Sequence, residues 1–260
     1  MGYKYETHLH TCNSSACGHS RAYEYISYYK ELGYSGIFVT DHFFLGNTCI
    51  DRSLPWKEWV KQYCAAYREA YEEGQKQNFQ VFFGWESTYE GDDYLIYGLD
   101  EAWLSAHPEV TTWTVPEQYR VVHAAGGMVI QAHPFRERGY MNAIHLHPYD
   151  CDGWEVANAG NESYQDALAY RYAVNHGMKM TAGSDFHRVN GTNSNQIFGM
   201  EFETPLTSAL DYVHRFLGGD TGKPIFPMEW VDASNIREPD LPMYFHHQDE
   251  SITNPELAPM

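Results

Sequence analysis

The sequence predicts a single α/β domain whose parallel strands form a barrel, and three observations support this prediction. The first is a series of short apolar runs, bounded by glycine or polar residues, which are typical of buried strands. These runs lie at 36–40, 80–85, 127–132 and 179–184. The second is a series of helix-like segments between them, at 22–32, 56–77, 116–125 and 163–176. Such alternation indicates parallel strands joined by helical crossovers.

The third observation is that ionisable residues follow each predicted strand. The clusters are Asp41-His42, Glu86, His133-Pro134 and Asp185-Phe186-His187. In folds of parallel strands, reactive side chains gather at the carboxyl ends of the strands. Each cluster also has a purely structural interpretation: Asp41 could cap a helix, and His133 could be a hydrogen-bonded core histidine. Because all of them fall in the same position relative to a strand, a shared site is the favoured interpretation.

Composition and charge narrow the classes of partner. The chain has 260 residues, of which 43% are hydrophobic and 16% aromatic, enough for one large folded domain. Its formal net charge of −18, from 35 acidic and 17 basic residues, repels nucleic-acid backbones. We therefore expect no long nucleic acid as a partner. A small anionic substrate stays possible, because bound divalent cations can reverse the local field.

The five cysteines are odd in number and include no CxxC pair, so we expect a reducing compartment rather than a disulfide framework. No apolar signal segment and no run of membrane-spanning length is visible. These features predict a cytoplasmic protein that does not associate with a membrane. The sequence makes no prediction about oligomeric state.

The C-terminal part of the chain has a different composition. Six prolines fall after residue 222, at Pro224, Pro227, Pro239, Pro242, Pro255 and Pro259. We predict a barrel domain over residues 1–222 and an irregular, proline-rich tail over 223–260 that packs on the barrel.

The strongest local signal is the pair His8 and His10. Two histidines separated by one residue on a strand point to the same side and can reach one metal ion. An isolated pair of this kind would more often be two solvent-facing histidines on an edge strand. Here the pair accompanies the four strand-end clusters, and together the imidazoles and carboxylates favour zinc, manganese or iron. A carboxylate such as Glu86 could bridge two ions.

The motifs together resemble the PHP (polymerase and histidinol phosphatase) family, from about residue 5 to residue 200. The matching order is His8-x-His10, Thr40-Asp41-His42, Gly84-x-Glu86, Ala132-His133-Pro134 and Gly183-Ser184-Asp185-x-His187. The resemblance implies a distorted (β/α)7 TIM-like barrel of the PHP type and two or three divalent transition-metal ions. It also implies hydrolysis of a phosphoester by a metal-activated hydroxide.

The resemblance also implies a ligand set. His8, His10, Glu86 and Asp185 would hold a first metal, and Glu86 would bridge to a second that His133 also binds. His42 and His187 would hold a third. Within this set, the residues expected to be catalytic are Glu86, His133 and Asp185.

Two positions depart from the family pattern. Asp93 stands where the family often has a histidine, and its carboxylate can still bind a metal. Ser15-Ala16 stands where the family often has an Asp or a His, so the third metal lacks an obvious ligand. Cys17 or His19 could substitute there.

Other polar residues have weaker signals. Arg136 could clamp a substrate phosphate through bidentate hydrogen bonds, or it could be a surface arginine. His145 and His147 repeat the one-residue spacing, and an exposed loop is favoured over substrate contact. His246-His247, in the tail, is interpreted as incidental.

The predicted function is therefore hydrolysis of a small phosphomonoester, in the manner of a histidinol phosphatase. One alternative is a nuclease or phosphodiesterase that acts on short nucleic acids or nucleotides. The other is a non-catalytic, metal-stabilised regulatory domain, which the departure at Ser15-Ala16 keeps open.

Overall fold

The computed structural model describes residues 2–89, 91–191, 196–249 and 251–254, and its main feature is a nine-stranded sheet. The described residues form twelve strands, nine of them in this sheet: β1 (Tyr3–Glu6), β2 (Gly36–Val39), β3 (Gln80–Tyr89), β4 (Asp92–Tyr97), β5 (Met128–Gln131), β6 (Ile144–Leu146), β7 (Gly153–Asn158), β8 (Met180–Gly183), β9 (Gly199–Phe202), β10 (Lys223–Ile225), β11 (Met243–His246) and β12 (Ile252–Thr253). Their order in the sheet is β10-β9-β1-β2-β3-β4-β5-β7-β8.

The sheet curls round so that β8, at one end of the order, lies beside β1, and the sheet is a nearly closed barrel. Just beyond β1 and β8, Leu9 and Phe186 form a parallel bridge. The His10 amide donates to the Phe186 carbonyl at 2.8 Å, and the Asp185 amide donates to the His8 carbonyl at 2.7 Å. The α/β barrel prediction is confirmed, and each predicted apolar run forms a strand.

One hairpin distorts the parallel pattern. β4 runs antiparallel to β3, with Glu86 opposite Leu95 and Thr88 opposite Asp93. The turn between the strands includes Gly91, whose φ of +102° lies in the region that favours glycine. Because β4 runs backwards, its first residues lie at the end of the barrel where β3 finishes. Asp93 therefore reaches the carboxyl ends of the parallel strands from the start of a strand.

The helices occupy the four predicted segments, with one correction, and two further helices, Glu101–Ala106 and Ala209–Gly218, were not predicted. They are α1 (Glu24–Glu31), α2 (Trp56–Tyr63), α3 (Ala65–Gln77), α4 (Glu101–Ala106), α5 (Val115–Ala124), α6 (Ser163–His176) and α7 (Ala209–Gly218). The single helix predicted over 56–77 is wrong, because it divides at Cys64. The ψ of Cys64 is −1°, far from the −42° typical of an α-helix. Since Cys64 is fully buried, this change of direction lies within the core.

The C-terminal segment contains short strands, which corrects the prediction of an irregular tail. β10 adds to the main sheet beside β9. β11 pairs in parallel with β6 and antiparallel with β12, forming a separate three-stranded sheet. Single turns of 3-10 helix at Met228–Val231 and Ala233–Asn235 lie between them. The division of the chain at residue 222 stays a prediction.

β6 also changes the interpretation of His145 and His147. The prediction of an exposed loop is wrong, because His145 lies within β6 and His147 directly follows it. The His147 side chain is buried. The side-chain nitrogen of Gln131 donates to the His145 carbonyl at 2.6 Å, and the backbone amide of His147 donates to the side-chain oxygen of Gln131 at 3.0 Å. Gln131 thus fastens this segment to β5.

Alternation along the strands separates two packed regions. Phe82 and Glu86 lie on the same face of β3, and Phe82 belongs to a buried cluster that includes Leu95 from β4 and Phe216 from α7. Trp85 faces the other way, towards the outer helices. Apolar side chains therefore fill the part of the interior beside α7, and polar side chains are left at the carboxyl ends of the strands. Within the described ranges, no helix has both the length and the apolar composition that a membrane crossing requires.

Candidate metal centre

The structure brings together every ligand candidate predicted from the sequence. His8 and His10 follow β1, His42 follows β2, and His133 follows β5. Glu86 is on β3 and Asp93 on β4. Asp185 and His187 follow β8. Three groups of these side chains have ligand atoms within 4.8 Å of one another: His8-Glu86-His133, His8-His10-Asp185 and His10-His42-His187.

Glu86 lies at the centre of the cluster. One carboxylate oxygen is 3.0 Å from Nε2 of His8 and 3.3 Å from Nε2 of His133. The other oxygen is 2.6 Å from Nδ1 of His42 and 3.5 Å from Nε2 of His10. Burial opposes its ionisation, but His42, His8 and His10 together hold the pKa of Glu86 well below its ordinary range. A buried carboxylate that stays charged and contacts rings on both sides is suited to bridging two cations.

Asp185 forms the second focus. Its Oδ1 lies 3.0 Å from Nε2 of His10 and 3.5 Å from Nε2 of His8, while those two nitrogens are 3.1 Å apart. Burial and then the neighbouring rings of His42 and His187 keep the pKa of His10 well below its ordinary range. A neutral imidazole is the form that binds metal.

Two buried atoms give an independent test of whether these residues fit a metal. His42 Nδ1 and Glu86 Oε2 are 2.6 Å apart, yet their mutual orientation is not that of a hydrogen bond. Among the described residues, neither atom has a hydrogen-bond partner. Buried polar atoms that make no hydrogen bond are costly, and a cation bound by both atoms would satisfy them. The donor set, imidazole nitrogens and carboxylate oxygens, suits zinc, manganese or iron.

Backbone conformation supports the same conclusion. His133 and Asp185 have φ values of +29° and +53°, in the left-handed region that non-glycine residues rarely adopt. Such conformations persist only where the surroundings impose them, and they cluster at functional sites. Gly183 allows the close approach of β8, since a Cβ there would lie 2.5 Å from the His8 Cβ.

Asp93 lies at the edge of the centre. Its Oδ2 is 3.7 Å from Nε2 of His133, and its Oδ1 accepts a 2.5 Å hydrogen bond from the Thr88 hydroxyl. Burial and then the charge of Glu86 raise the pKa of Asp93 to about 7. The side chain therefore lies beside His133, and its role as a metal ligand stays a prediction.

Ser15 does not replace the missing ligand, and it acts on the loop instead. Its hydroxyl donates to Asp41 Oδ1 at 2.6 Å and accepts from the His42 amide at 3.0 Å. Asp41 also accepts from the Thr11 amide at 2.6 Å. Asp41 therefore organises the loop that follows β1 and is not a ligand candidate.

Cys17 takes the place beside His42 and His187. It lines the same cavity as both rings. Burial raises the pKa of the Cys17 thiol, but hydrogen bonds with His187 and His42 outweigh this and lower it to about 6. His19, by contrast, is exposed, and its backbone amide donates to the His187 carbonyl. Of the two substitutes considered from the sequence, the geometry favours Cys17.

Arg136 is neither a surface arginine nor free of protein partners. Its side chain is 12% exposed, and one guanidinium nitrogen donates to Asp185 Oδ2 at 2.6 Å. The others donate to Asn161 at 2.7 Å and Asn158 at 2.8 Å. Arg136 thus holds Asp185 in place while lining the cavity, and its substrate-binding role stays a prediction.

Sequence reasoning missed Glu155, on β7. One carboxylate oxygen is 3.0 Å from Nδ1 of His8, and the other accepts from the His133 amide at 3.1 Å and the Asn158 side chain at 2.8 Å. A carboxylate that orients a metal-binding imidazole is a common supporting feature. The available signal was a charged residue in the middle of an otherwise apolar strand, which is rarely buried without a role.

A cavity of about 650 Å³ opens over the cluster. His42, Asp93, Asp185 and His187 line it from the metal centre. Arg136, Arg138 and Tyr140 also line it. The cavity therefore combines an acidic and imidazole-rich floor with two guanidinium groups.

Comparison with known proteins agrees with this geometry. The chain is similar in structure to a candidate metal-dependent phosphoesterase from Bifidobacterium adolescentis, with a TM-score of 0.52 and 16% identity, over 72% of this chain and 88% of that one. It is also similar to a two-domain protein with a predicted PHP-like metal-dependent phosphoesterase from Bacteroides vulgatus, with a TM-score of 0.61 and 14% identity, over 87% of this chain and 65% of that one. At these identities, the likeness shows a shared fold alone.

No curated protein sequence matches this one. The family model of the PHP domain matches residues 6–237. Since that match includes every ligand candidate and most of the 260 residues, the chain belongs to the PHP domain family.

Proposed function

We propose that the protein hydrolyses a small phosphomonoester with the help of two or three divalent transition-metal ions. The observation that carries the proposal is the position of Glu86 between His8 and His133 on one side and His10 and His42 on the other. When bound there, such ions would lower the pKa of water and offset the charge of a phosphate. We also propose that the bound ions are zinc, manganese or iron.

The protein's own residues have separable roles. The ions would be held by Glu86, Asp185 and the imidazoles. Glu155 would orient the ring of His8 and the backbone of His133. Arg136 and Arg138, which line the same cavity, would neutralise phosphate oxygens. Arg136 also donates to Asp185, so it would link the substrate to the metal ligands.

The size and charge of the cavity favour a small substrate. Cavities of roughly 300–1,000 Å³ accommodate compact organic ligands, and the volume here is about 650 Å³. The formal charge of −18 disfavours approach of a long polyanion, whereas two arginines suffice for one phosphate group. The two structural neighbours, which are described as metal-dependent phosphoesterases, add support.

The test is phosphate release from a panel of substrates by metal-loaded protein. The panel would contain amino-alcohol phosphates, sugar phosphates, nucleoside monophosphates and a dinucleotide. We expect monoesters to be cleaved, the activity to vanish on chelation, and the activity to return on adding zinc, manganese or iron. Cleavage of the dinucleotide alone would indicate the nuclease or phosphodiesterase alternative. Metal binding without turnover on any substrate would favour a regulatory domain.

A further inference from the structure

We infer that His145, His147 and His246 form a second metal site, on the outside of the barrel, which takes zinc or another divalent transition metal. One ring nitrogen from each histidine lies within 4.8 Å of the other two. His145 and His147 belong to the segment of β6, whereas His246 is the last residue of β11. The site would therefore join the C-terminal segment to the body of the barrel.

The distances fit a metal with little rearrangement. His145 Nδ1 and His246 Nε2 are 2.9 Å apart, and the ring centroids of His147 and His246 are 3.9 Å apart. Two nitrogens bound tetrahedrally to zinc at 2.0–2.1 Å would be about 3.3 Å apart. Because the rings of His147 and His246 are stacked, with 15° between their planes, one of them would rotate about its side-chain bonds to direct all three nitrogens at one ion. Backbone pairing already fixes the two strands, since Tyr244 is the register partner of His145.

A carboxylate provides the second observation. Nδ1 of His147 lies 3.3 Å from Oδ2 of Asp150. Imidazoles that bind metals usually donate their other ring N–H to a carboxylate or carbonyl, which fixes the tautomer and the direction of the ring. Asp150 would keep the proton on Nδ1 of His147 and leave Nε2 to bind.

The cluster is separate from the metal centre inside the barrel. Asp93 and Tyr94 are adjacent on β4 and so project to opposite faces of the sheet. Asp93 reaches the interior centre, whereas the Tyr94 ring lies 6.2 Å from the ring of His147. The barrel wall therefore lies between the two groups of histidines, and neither can complete the other.

The surroundings indicate an accessible ion with one open position. The three histidines line a cavity of about 340 Å³, whose other walls include Tyr89, Trp113 and Asp92. Three imidazoles and one open position is the donor count of many zinc sites that hold a water or a small ligand. The position that protein atoms leave vacant would face this cavity.

The experiment counts zinc ions per chain in the full-length protein after equilibration with zinc alone. His246→Ala and His145→Ala should each lose one equivalent relative to wild type. His247→Ala is the matched control, because it removes the next histidine in the chain, and it should lose none. Both cluster variants should keep their phosphatase activity, because neither residue contacts the interior centre.

A second measurement keeps the test independent of tail packing and of the proposed function. In a Glu86→Gln background, which weakens the interior centre, one zinc equivalent should remain. It should disappear when His246→Ala is added, and it should persist when His247→Ala is added instead. Equal zinc counts in wild type, His246→Ala and His145→Ala would overturn the inference. Loss of an equivalent in His247→Ala would do the same, since it would attribute the effect to disturbance of the segment.

Discussion

The interior centre and the outer three-histidine cluster use the same ring nitrogens but are assembled in different ways. The interior ligands come from one edge of a single barrel, where the parallel strands finish and antiparallel β4 begins. The outer ligands come from β6 and from β11, and His246 is 101 residues from His145. Carboxylates lie among the interior rings, whereas in the described part of the outer cluster Asp150 stands behind one ring. The first arrangement is therefore suited to holding several ions over a substrate, and the second to holding one.

The two regions also differ in the charged groups that surround their histidines. Burial is the largest single influence on the pKa of His8 and lowers it. The carboxylates of Glu155, Asp185 and Glu86 together outweigh burial and raise this pKa well above its ordinary range. At the outer cluster, burial and then His147 and His145 lower the pKa of His246 to about 4. The interior centre thus carries compensated charges, while at the outer cluster the ring of His246 is neutral at neutral pH.

The largest effect should follow Glu86→Gln. The change removes the negative charge shared by four histidines, and we expect kcat/KM to fall by at least about 10²-fold. The loss should exceed that of Arg136→Ala, which we expect to act mainly through KM. Kinetics with a cleaved monoester would measure both variants, and Glu31→Gln on exposed α1 is the control. Equal changes in kcat and equal changes in KM for the two variants would contradict the roles of Glu86 as a metal ligand and of Arg136 as a substrate-binding residue.

A smaller effect should follow Glu155→Gln. The variant keeps the shape of the side chain but loses the charge that orients His8, so we expect metal affinity or activity to fall about 10- to 100-fold. Metal titration and phosphate release would be measured together, with Glu109→Gln at an exposed position as the control. Unchanged metal affinity and activity would show that Glu155 has only a packing role.

Cys17→Ser should affect one interior ion. If the thiolate completes the site of His42 and His187, cobalt-loaded wild type should show a thiolate-to-cobalt charge-transfer band, and the variant should not. Its weakest cobalt ion should also bind at least about tenfold less tightly, since a direct ligand should matter as much as a supporting one. Exposed Cys49, replaced by Ser, is the control. A band that survives in Cys17→Ser would exclude the thiolate as a ligand.

The smallest effect concerns pH and the carboxyl group of Asp166, which lies behind the interior centre. Burial raises its pKa well above the ordinary range, although Asn161 donates to it at 2.7 Å. The folded state therefore holds this proton more tightly than the unfolded state does. Its contribution to the free energy of unfolding should decrease as pH rises from about 4.

In metal-free protein, Asp166→Asn should flatten this pH dependence, whereas Asp220→Asn at an exposed position should not. Denaturant unfolding at a series of pH values gives the slopes. Identical slopes for wild type and Asp166→Asn would show that Asp166 titrates as it does in the unfolded chain.

The interior centre could be predicted from sequence because its ligands follow local patterns. Each of His42, His133 and Asp185 comes just after an apolar run, and the geometry of parallel strands brings such positions together. Glu155 could not be assigned a partner, since nothing local shows that β7 lies beside His8. The break at Cys64 is also not local, as it depends on the packing of two helices against different parts of the barrel.

The outer cluster shows the limit of local patterns most clearly. The sequence around His246 gives no sign of a metal ligand. His246 reaches His145 only because β11 pairs with β6. The prolines around β11 predicted an irregular segment, and a four-residue strand that depends on its partner gives little signal of its own.

The most direct test of the central claim is a zinc-edge anomalous difference map from crystals of zinc-loaded protein. We predict a peak about 2.0–2.2 Å from Glu86 and His133 and another beside His8, His10 and Asp185. A separate peak should lie among His145, His147 and His246. A map with full zinc occupancy elsewhere but no peak in contact with Glu86 would contradict the assignment of this cluster as the metal centre.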